Sequence, residues 1–418
     1  MKICHICYFA ARGGAATAAM RLHRALSKQG KDSRFMAVVH ENLPDVIPLG
    51  TPRKLFFMRQ FQRFVHQSYR LAKSTNYSGH TFQLFPGGLV PEILAQHPDI
   101  IHLHSIVGEM MSVPEISRLC RHARVVWTFH DGWPYHGTEQ YHIPGTVPRY
   151  RDGYTRSNHT DHGIDLDRFY WNRKRRHWLD LPLHIISPSH YLAKEIRESV
   201  LFCDHPVTVI PHGLSCEEFA PGDRHAACTR LNLNPNADYI GLAAVDFSNR
   251  VKGGDLARRL LDRLIKENRK IIFLVAGIAP ELAALQSTGR VRCLNMLSQQ
   301  EMKYFYQVLT MFFNPTRIES FGLTNLEALF SGIPVLSTNQ GAIPEVVRHL
   351  QTGYLAEPEN IDDFLYGFNY LLKNRPRLSE NARLTAAEEF SATRMATRHI
   401  ALYQKAAICN TEKNSSKE

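Results

Sequence analysis

The residue types best suited to chemistry gather in one string, Asn314-Pro315-Thr316-Arg317-Ile318-Glu319-Ser320-Phe321-Gly322-Leu323-Thr324-Asn325-Leu326-Glu327-Ala328-Leu329. The spacing of Leu326, Leu329 and Phe330 predicts a helix that begins near Leu323, with Gly322 supplying the sharp turn before it. The free N–H groups of Phe321, Gly322, Leu323 and Thr324 then point out of the helix start, where a phosphate is held with the macrodipole assisting. Glu319 sits in the loop before that start and Glu327 in the first turns, so both carboxylates can face one crevice at the carboxyl end of a sheet. Carboxylates accept hydrogen bonds from vicinal hydroxyls, and one of the two suits a sugar ring, the other a ribose. The competing reading is that both acids merely complement the helix dipole.

A second element, Asp246-Phe247-Ser248-Asn249-Arg250-Val251-Lys252-Gly253-Gly254, follows an apolar run at 239–245. Arg250 and Lys252 can reach the same crevice and neutralise a diphosphate, a role that a metal ion plays in other transferases. Earlier, Arg12-Gly13-Gly14-Ala15-Ala16 ends the first apolar run and opens a helix, where bare backbone can approach a ligand. The run at 124–129 leads into Thr128-Phe129-His130-Asp131-Gly132-Trp133-Pro134, again at a carboxyl end where ligands collect. His130 is read as a donor or acceptor at a reacting sugar or acceptor hydroxyl, since imidazole titrates near neutral pH. Asp131 and Trp133 stand beside it as the acceptor region.

Glu319 and Glu327, separated by seven residues in ESFGLTNLEALFSGIPVLSTNQGAIPEVV, resemble the E-x7-E signature of retaining GT-B glycosyltransferases of family GT4. Arg250-Val251-Lys252-Gly253 is similar to the family's Arg…Lys-Gly element in its shorter spacing, and Arg12-Gly13-Gly14 to its glycine loop. The runs TFHDGWP at 128–134 and ISPSHYLA at 186–193 resemble members that build capsule, exopolysaccharide or O-antigen chains, colanic acid transferases included. The likeness covers nearly the whole chain and is strongest from Val207 to Val347. It implies an α/β protein of two Rossmann-like domains whose parallel sheets face a cleft. It also implies a UDP- or GDP-linked sugar as donor, a glycan or lipid-linked saccharide as acceptor, retention of anomeric configuration, and neither metal nor other cofactor. On that likeness Glu319 and His130 are the catalytic candidates, Glu319 contacting the transferred sugar and Glu327 the nucleotide ribose. Arg250, Lys252, Phe321, Gly322, Leu323, Thr324, Gly13 and Gly14 surround the donor. Members often carry several cysteines in the loop after the histidine; this chain has none there, so its acceptor loop has diverged.

The elements that must position these residues follow a strand-then-helix rhythm, the pattern of parallel sheets crossed over by helices. Strands are expected at 2–9, 34–39, 99–104, 124–129, 183–187, 207–210, 239–245, 271–276, 291–294, 310–314 and 334–337. The rhythm occurs twice, separated by a stretch in which Pro211, Gly213, Pro221 and Gly222 supply turn chemistry. The domain boundaries expected are 1–206 for the acceptor domain and 207–389 for the donor domain, with a last helix near 390–410 free to pack with either. Residues 132–170 are polar, aromatic and turn-rich, too long for a plain connection, and read as a functional loop.

Composition sets the outer limits. The 418 residues exceed what one core usually serves, and 44% hydrophobic with 21% charged residues is the balance of an ordinary globular protein. Cys4 and Cys7 form a CxxC inside a buried-strand pattern, so core packing is preferred to a redox or metal role. His136, His142, His159 and His162 match no metal-ligand spacing among 22 histidines, and no metal is expected. A net charge of +11 favours polyanionic partners. The segment from Arg53 to Lys73 holds no acid and interleaves bases with phenylalanines, a face suited either to anionic lipid or to a core with solvated bases. The start MKICHICYFAARGG lacks the apolar core of a signal peptide, and no run of about 18 uncharged apolar residues occurs, so a cytoplasmic chain, peripheral on the membrane's inner face, is expected. Two other classes compete: a nucleotide-sugar epimerase of the same architecture, and a non-catalytic binder of membrane or nucleic acid. Against nucleic acid stand the acidic pair and the lack of a recognisable module, so no nucleic-acid partner is expected.

Overall fold

The computed structural model describes residues 1–72, 80–142, 145–159, 163–267 and 269–408. Lys73, His162 and the tail at 413–418 lie outside the described residues. The chain forms two units, Met1–Pro211 joined by the last helix from Met395, and His212–Arg394.

The first unit carries a parallel sheet of β1 (Lys2–Phe9), β2 (Asp32–Val39), β3 (Val46–Pro48), β4 (Ile100–Leu103), β5 (Val125–Thr128), β6 (Leu183–Ser187) and β7 (Val207–Val209), in the order β3-β2-β1-β4-β5-β6-β7. Its central strands are short runs with nearly every residue buried, as helices on both faces require. Chain order moves outward from β1 through β2 and β3, then restarts on the other side with β4. The gap between the ends of β1 and β4 is therefore a topological switch point, the place where α/β sheets bind ligands.

The second unit repeats the plan with β8 (Asp238–Asp246), β9 (Ile271–Ile278), β10 (Val291–Cys293), β11 (Met311–Asn314), β12 (Val335–Thr338) and β13 (Gly353–Ala356), all parallel, in the order β10-β9-β8-β11-β12-β13. Its switch point lies between β8 and β11. The loops leaving those two strands carry Lys252 and Glu319, which is why residues 67 positions apart meet.

Two strands escape the sequence pattern. β3 is a three-residue edge strand ending in Pro48, and β13 follows directly on the turn at Thr352. β7, which the expected boundary puts in the second domain, pairs with β6 through Ile185, Ile186 and Ser187 and so belongs to the first sheet. The last helix, Ala392–Ile408, places Tyr403 in the first unit, where its hydroxyl meets His102 Nδ1 at 2.6 Å.

Cys4 and Cys7 are fully buried in β1, in separate clusters of the core, and burial pushes both thiols up to about 11. They are packing residues rather than thiolates poised for exchange.

Candidate active site

In the second unit, the helix Leu323–Phe330 begins where the sequence predicts, with Gly322 before it at φ 94°, a left-handed conformation that glycine adopts without strain. Among the described residues no side chain caps that helix start, and its first turn carries no acid. The ring of Phe321 is buried against His212 and Phe390, anchoring the loop from behind. Just behind Gly322, the fully buried Asn325 accepts at Oδ1 from Asn314 Nδ2 at 2.9 Å, while its own Nδ2 has no hydrogen-bond partner among the described residues. The helix start is thus a cluster of donors with no anion of its own.

Lys252 Nζ donates to Glu319 Oε1 at 2.7 Å, with the two side chains 26% and 15% exposed. Neither charge is fully removed from water, so both remain open to a competing ligand. Behind this pair the loops are stitched together by backbone and side chain. Arg317 N–H and Thr316 Oγ1 donate to the Val251 carbonyl at 2.8 and 3.0 Å, and Arg317 Nη1 to that of Arg250 at 2.7 Å. Gly253 permits the approach: a Cβ there would stand 2.0 Å from the Pro315 carbonyl oxygen, and its φ of 68° is left-handed. Arg317 also grips Asp255 with two bonds at 2.8 and 2.7 Å, and its guanidinium holds the Asp255 carboxyl below the usual range. On the other side, Ala342 N–H donates to the Glu319 carbonyl at 3.0 Å, and Gly341 lies so close that a Cβ would come within 2.8 Å of that oxygen.

Arg250 is exposed, and it is its carbonyl that is tied down. Glu327 is buried, with one oxygen receiving the Tyr306 hydroxyl at 3.0 Å. The structure thus brings Lys252, Glu319 and the start of the helix carrying Phe321 to Thr324 to one end of one sheet. Gly253, Thr316, Arg317 and Gly341 complete the frame. Sequence reading placed Gly253 in the Lys-Gly element but gave none of the four a site role, although glycines beside the charged residues are a readable signal.

In the first unit the helix Gly13–Lys28 also opens without a side-chain cap, after Gly13 at φ 81°, and Gly13 and Gly14 are exposed. Arg12 beside it is held by Glu41 at 2.6 Å. A separate small pocket is lined by His104, Ser105, Val107, His130, Asp131 and Trp133, among others. His130 does not behave as its type suggests. Burial pushes its imidazole down to about 3, so it is neutral at working pH, with ring nitrogens suited to hydrogen bonding rather than to titration near pH 7. Burial pushes the Asp131 carboxyl up to about 6, against the bond from Trp133 N–H at 3.0 Å and the charge of Lys174. Trp133 is buried, with its indole N–H on the Thr81 carbonyl at 2.7 Å; it is a wall of the pocket and part of the core.

Lys174, which sequence reading missed, organises this loop. Its ammonium is buried and donates to the carbonyls of Trp133, His136 and Gly137, with the Trp133 ring 4.2 Å away. The signal lay in a lysine on the buried face of a helix otherwise rich in exposed bases. The loop's aromatic residues Tyr135, Tyr150 and Tyr154 are likewise core. His136 is buried there and His142 meets Thr146, whereas a different set, His5, His102 and His104, is the one trio among the described residues whose nitrogens come within 4.8 Å of one another.

The comparisons with known proteins bear on family and fold. Residues 12–218 match the family model described as Glycosyltransferase Family 4, and residues 234–387 that described as Glycosyl transferases group 1. A D-inositol 3-phosphate glycosyltransferase of Mycobacterium sp. (strain KMS) is 29% identical over 212 residues, 48% of this chain and 47% of that protein. The lipopolysaccharide core biosynthesis mannosyltransferase LpsB of Rhizobium meliloti is 29% identical over 219 residues, 49% and 62% of the two chains. The chain thus spans about half the length of the curated relatives it matches first. Among solved structures, sucrose-phosphate synthase from Thermosynechococcus elongatus aligns with a TM-score of 0.69 at 16% identity, covering 97% of this chain and 99% of that one. Anabaena HepE in complex with UDP and glucose aligns at 0.64 with 15% identity, over 97% and 100%. With both halves matched by family models and its whole length by structures of this fold, the chain belongs to the GT-B glycosyltransferases of family 4 and group 1.

Proposed function

We propose that this protein transfers a sugar from a UDP- or GDP-linked donor to a glycan or lipid-linked saccharide during cell-surface polysaccharide synthesis, with retention of anomeric configuration. The second unit is the donor domain and the first the acceptor domain. The observation that carries the reading is the partly exposed Lys252–Glu319 pair beside an uncapped helix start. In transfer, the bond from the anomeric carbon to the β-phosphate oxygen breaks and its electron pair leaves on that oxygen. Lys252, Arg250 and the N–H groups from Phe321 to Thr324 stabilise the charge that develops there, which strengthens as the bond lengthens and so lowers the barrier. As the diphosphate draws Lys252 toward itself, Glu319 is released to accept from hydroxyls of the transferred sugar. Lys252 and Arg250 supply the charge that a metal supplies elsewhere, so turnover is expected to persist in EDTA. Support for the class of donor comes from HepE, solved with UDP and UDP-glucose, and for a surface-polysaccharide role from LpsB and the structurally similar WaaG, a glycosyltransferase involved in lipopolysaccharide biosynthesis.

A membrane-facing acceptor is supported by the helix Pro52–Ala72. Met58, Val65 and Tyr69 bury one side, while Phe56, Phe57, Phe64 and Leu71 stand 52–90% exposed with Arg53, Arg59 and Arg63. An apolar stripe flanked by bases suits an anionic lipid surface on the cytoplasmic side. No described helix is long and apolar enough to cross a membrane.

A thermal-shift screen against UDP- and GDP-sugars tests the donor, because a ligand that binds only the folded state raises its melting temperature. Glu319→Ala is expected to keep the fold and lose transfer. A variant that turns over donor at the parental rate would remove Glu319 from the site.

A further inference from the structure

Three imidazoles of the first unit form a single file. His5 Nδ1 lies 3.0 Å from His104 Nε2, and His104 Nδ1 lies 3.2 Å from His130 Nε2. His5 and His104 are buried, and burial drives both well toward the neutral form. A neutral imidazole has one N–H and one lone pair, so protons along the file must all point the same way. If they point inward, the file ends in a His5 Nε2–H. That atom is buried without a hydrogen-bond partner among the described residues, beside the rings of Phe35, His23 and His102. If they point outward, it ends there in a bare lone pair. Orphaned buried N–H groups are rarer than under-satisfied acceptors, which favours the outward arrangement. His102 cannot reverse this, because both its nitrogens are engaged, by the Tyr403 and Thr128 hydroxyls at 2.6 and 2.7 Å.

We propose that His5 and His104 are positioning residues that lock His130 in the Nδ1–H tautomer. His5 Nδ1–H donates to His104 Nε2, His104 Nδ1–H donates to His130 Nε2, and the His130 proton is left on Nδ1. The Nε2 lone pair of His130 is then occupied, and its Nδ1 has no lone pair to offer in the ring plane. His130 therefore acts on the sugar or acceptor as a hydrogen-bond donor and not as a general base. The inference rests on the reading of His130 as a sugar-facing group, and it selects between the donor and acceptor roles that residue type leaves open.

Nitrogen-15 NMR of histidine-labelled full-length protein tests the tautomer without reference to activity. His130, assigned by comparison with His130→Gln, is expected to show a protonated Nδ1 and an unprotonated Nε2; the reverse pattern overturns the proposal. Turnover then tests positioning. His104→Leu is expected to lower kcat about tenfold with KM little changed, the scale of a misaligned donor. His104→Asn keeps an amide N–H near the Nδ1 position and is expected to recover most of that loss. Equal kcat in the Leu and Asn variants, both folded by circular dichroism, would count against positioning. Stoichiometric zinc in the purified protein that His5→Phe removes would show instead that the trio holds a metal. If no variant or parent transfers sugar while His130 still shows Nδ1–H, the tautomer stands and the transferase reading fails.

Discussion

The two units use opposite electrostatic materials at equivalent places in their sheets. At its switch point the second unit sets partly exposed charges, Lys252 against Glu319 and Arg317 between Asp255 and Glu359, whose bonds hold the loops while leaving Lys252 and Glu319 within reach of solvent. The first unit sets buried groups: the neutral file of His5, His104 and His130, the His102–Thr128 pair, and the Lys174 ammonium enclosed by three carbonyls. A dianionic leaving group needs charge that can be redirected to it, whereas discriminating hydroxyl groups needs fixed donors and acceptors in a dry wall. The proposed division between a donor and an acceptor unit matches the kind of polar group each one presents.

The sharpest break in this comparison is removal of the second unit's charge. Lys252→Ala is expected to lower kcat by about 10²- to 10³-fold, the usual cost of one lost donor at a developing oxyanion, with the melting temperature nearly unchanged because the pair is partly solvated. Steady-state kinetics with the donor identified by thermal shift reads the effect.

Acid should separate the units next. His23 and His399 are buried in the first unit and pushed down to about 4 by burial. Unfolded, each binds a proton near pH 6.5, so between that value and about 4 the unfolded state holds more protons and stability falls as pH falls. Each shift corresponds to about 3 kcal/mol. The raised carboxyl of Asp131 runs the other way and offsets part of this. Between 212 and 394 the only histidines are His212, His225 and His349. Hydrogen exchange on the full chain at mildly acidic pH is therefore expected to show β1 and β4 losing protection before β8 and β11; simultaneous loss would contradict it.

Lys174→Met tests the buried polar wall of the first unit. It leaves three buried carbonyls without their donor, which is expected to cost about 2 to 3 kcal/mol and to lower the first unit's melting, read by calorimetry. Smallest is the surface effect: Phe57→Ser with Phe64→Ser is expected to weaken binding to vesicles containing phosphatidylserine several-fold, with no change in donor hydrolysis, measured by co-sedimentation.

Much of the second unit's site is legible in sequence because its parts are local. Gly322 and the leucine spacing after it place a helix start, and Lys252 and Glu319 each follow a recognisable apolar strand. What was not legible depends on tertiary placement. His5 lies in β1, and His104 and His130 follow the ends of β4 and β5, so no spacing reveals that their rings touch. Residue type alone makes His130 a near-neutral titrating group, and only its burial shows otherwise. The loop from 132 reads as polar and open, yet a lysine 41 positions beyond Trp133 gathers its carbonyls into the core. β3 and β13 were missed because strands of three and four residues give too little alternation to register against their turns.

The most direct test is a crystal structure of the protein with the nucleoside diphosphate that stabilises it best. A diphosphate bonded to Lys252 Nζ and to backbone N–H groups between Phe321 and Thr324, with the Lys252–Glu319 contact lengthened, is the expected result. A nucleotide bound elsewhere while that ion pair stays intact would contradict the assignment of the second unit's switch point as the donor site.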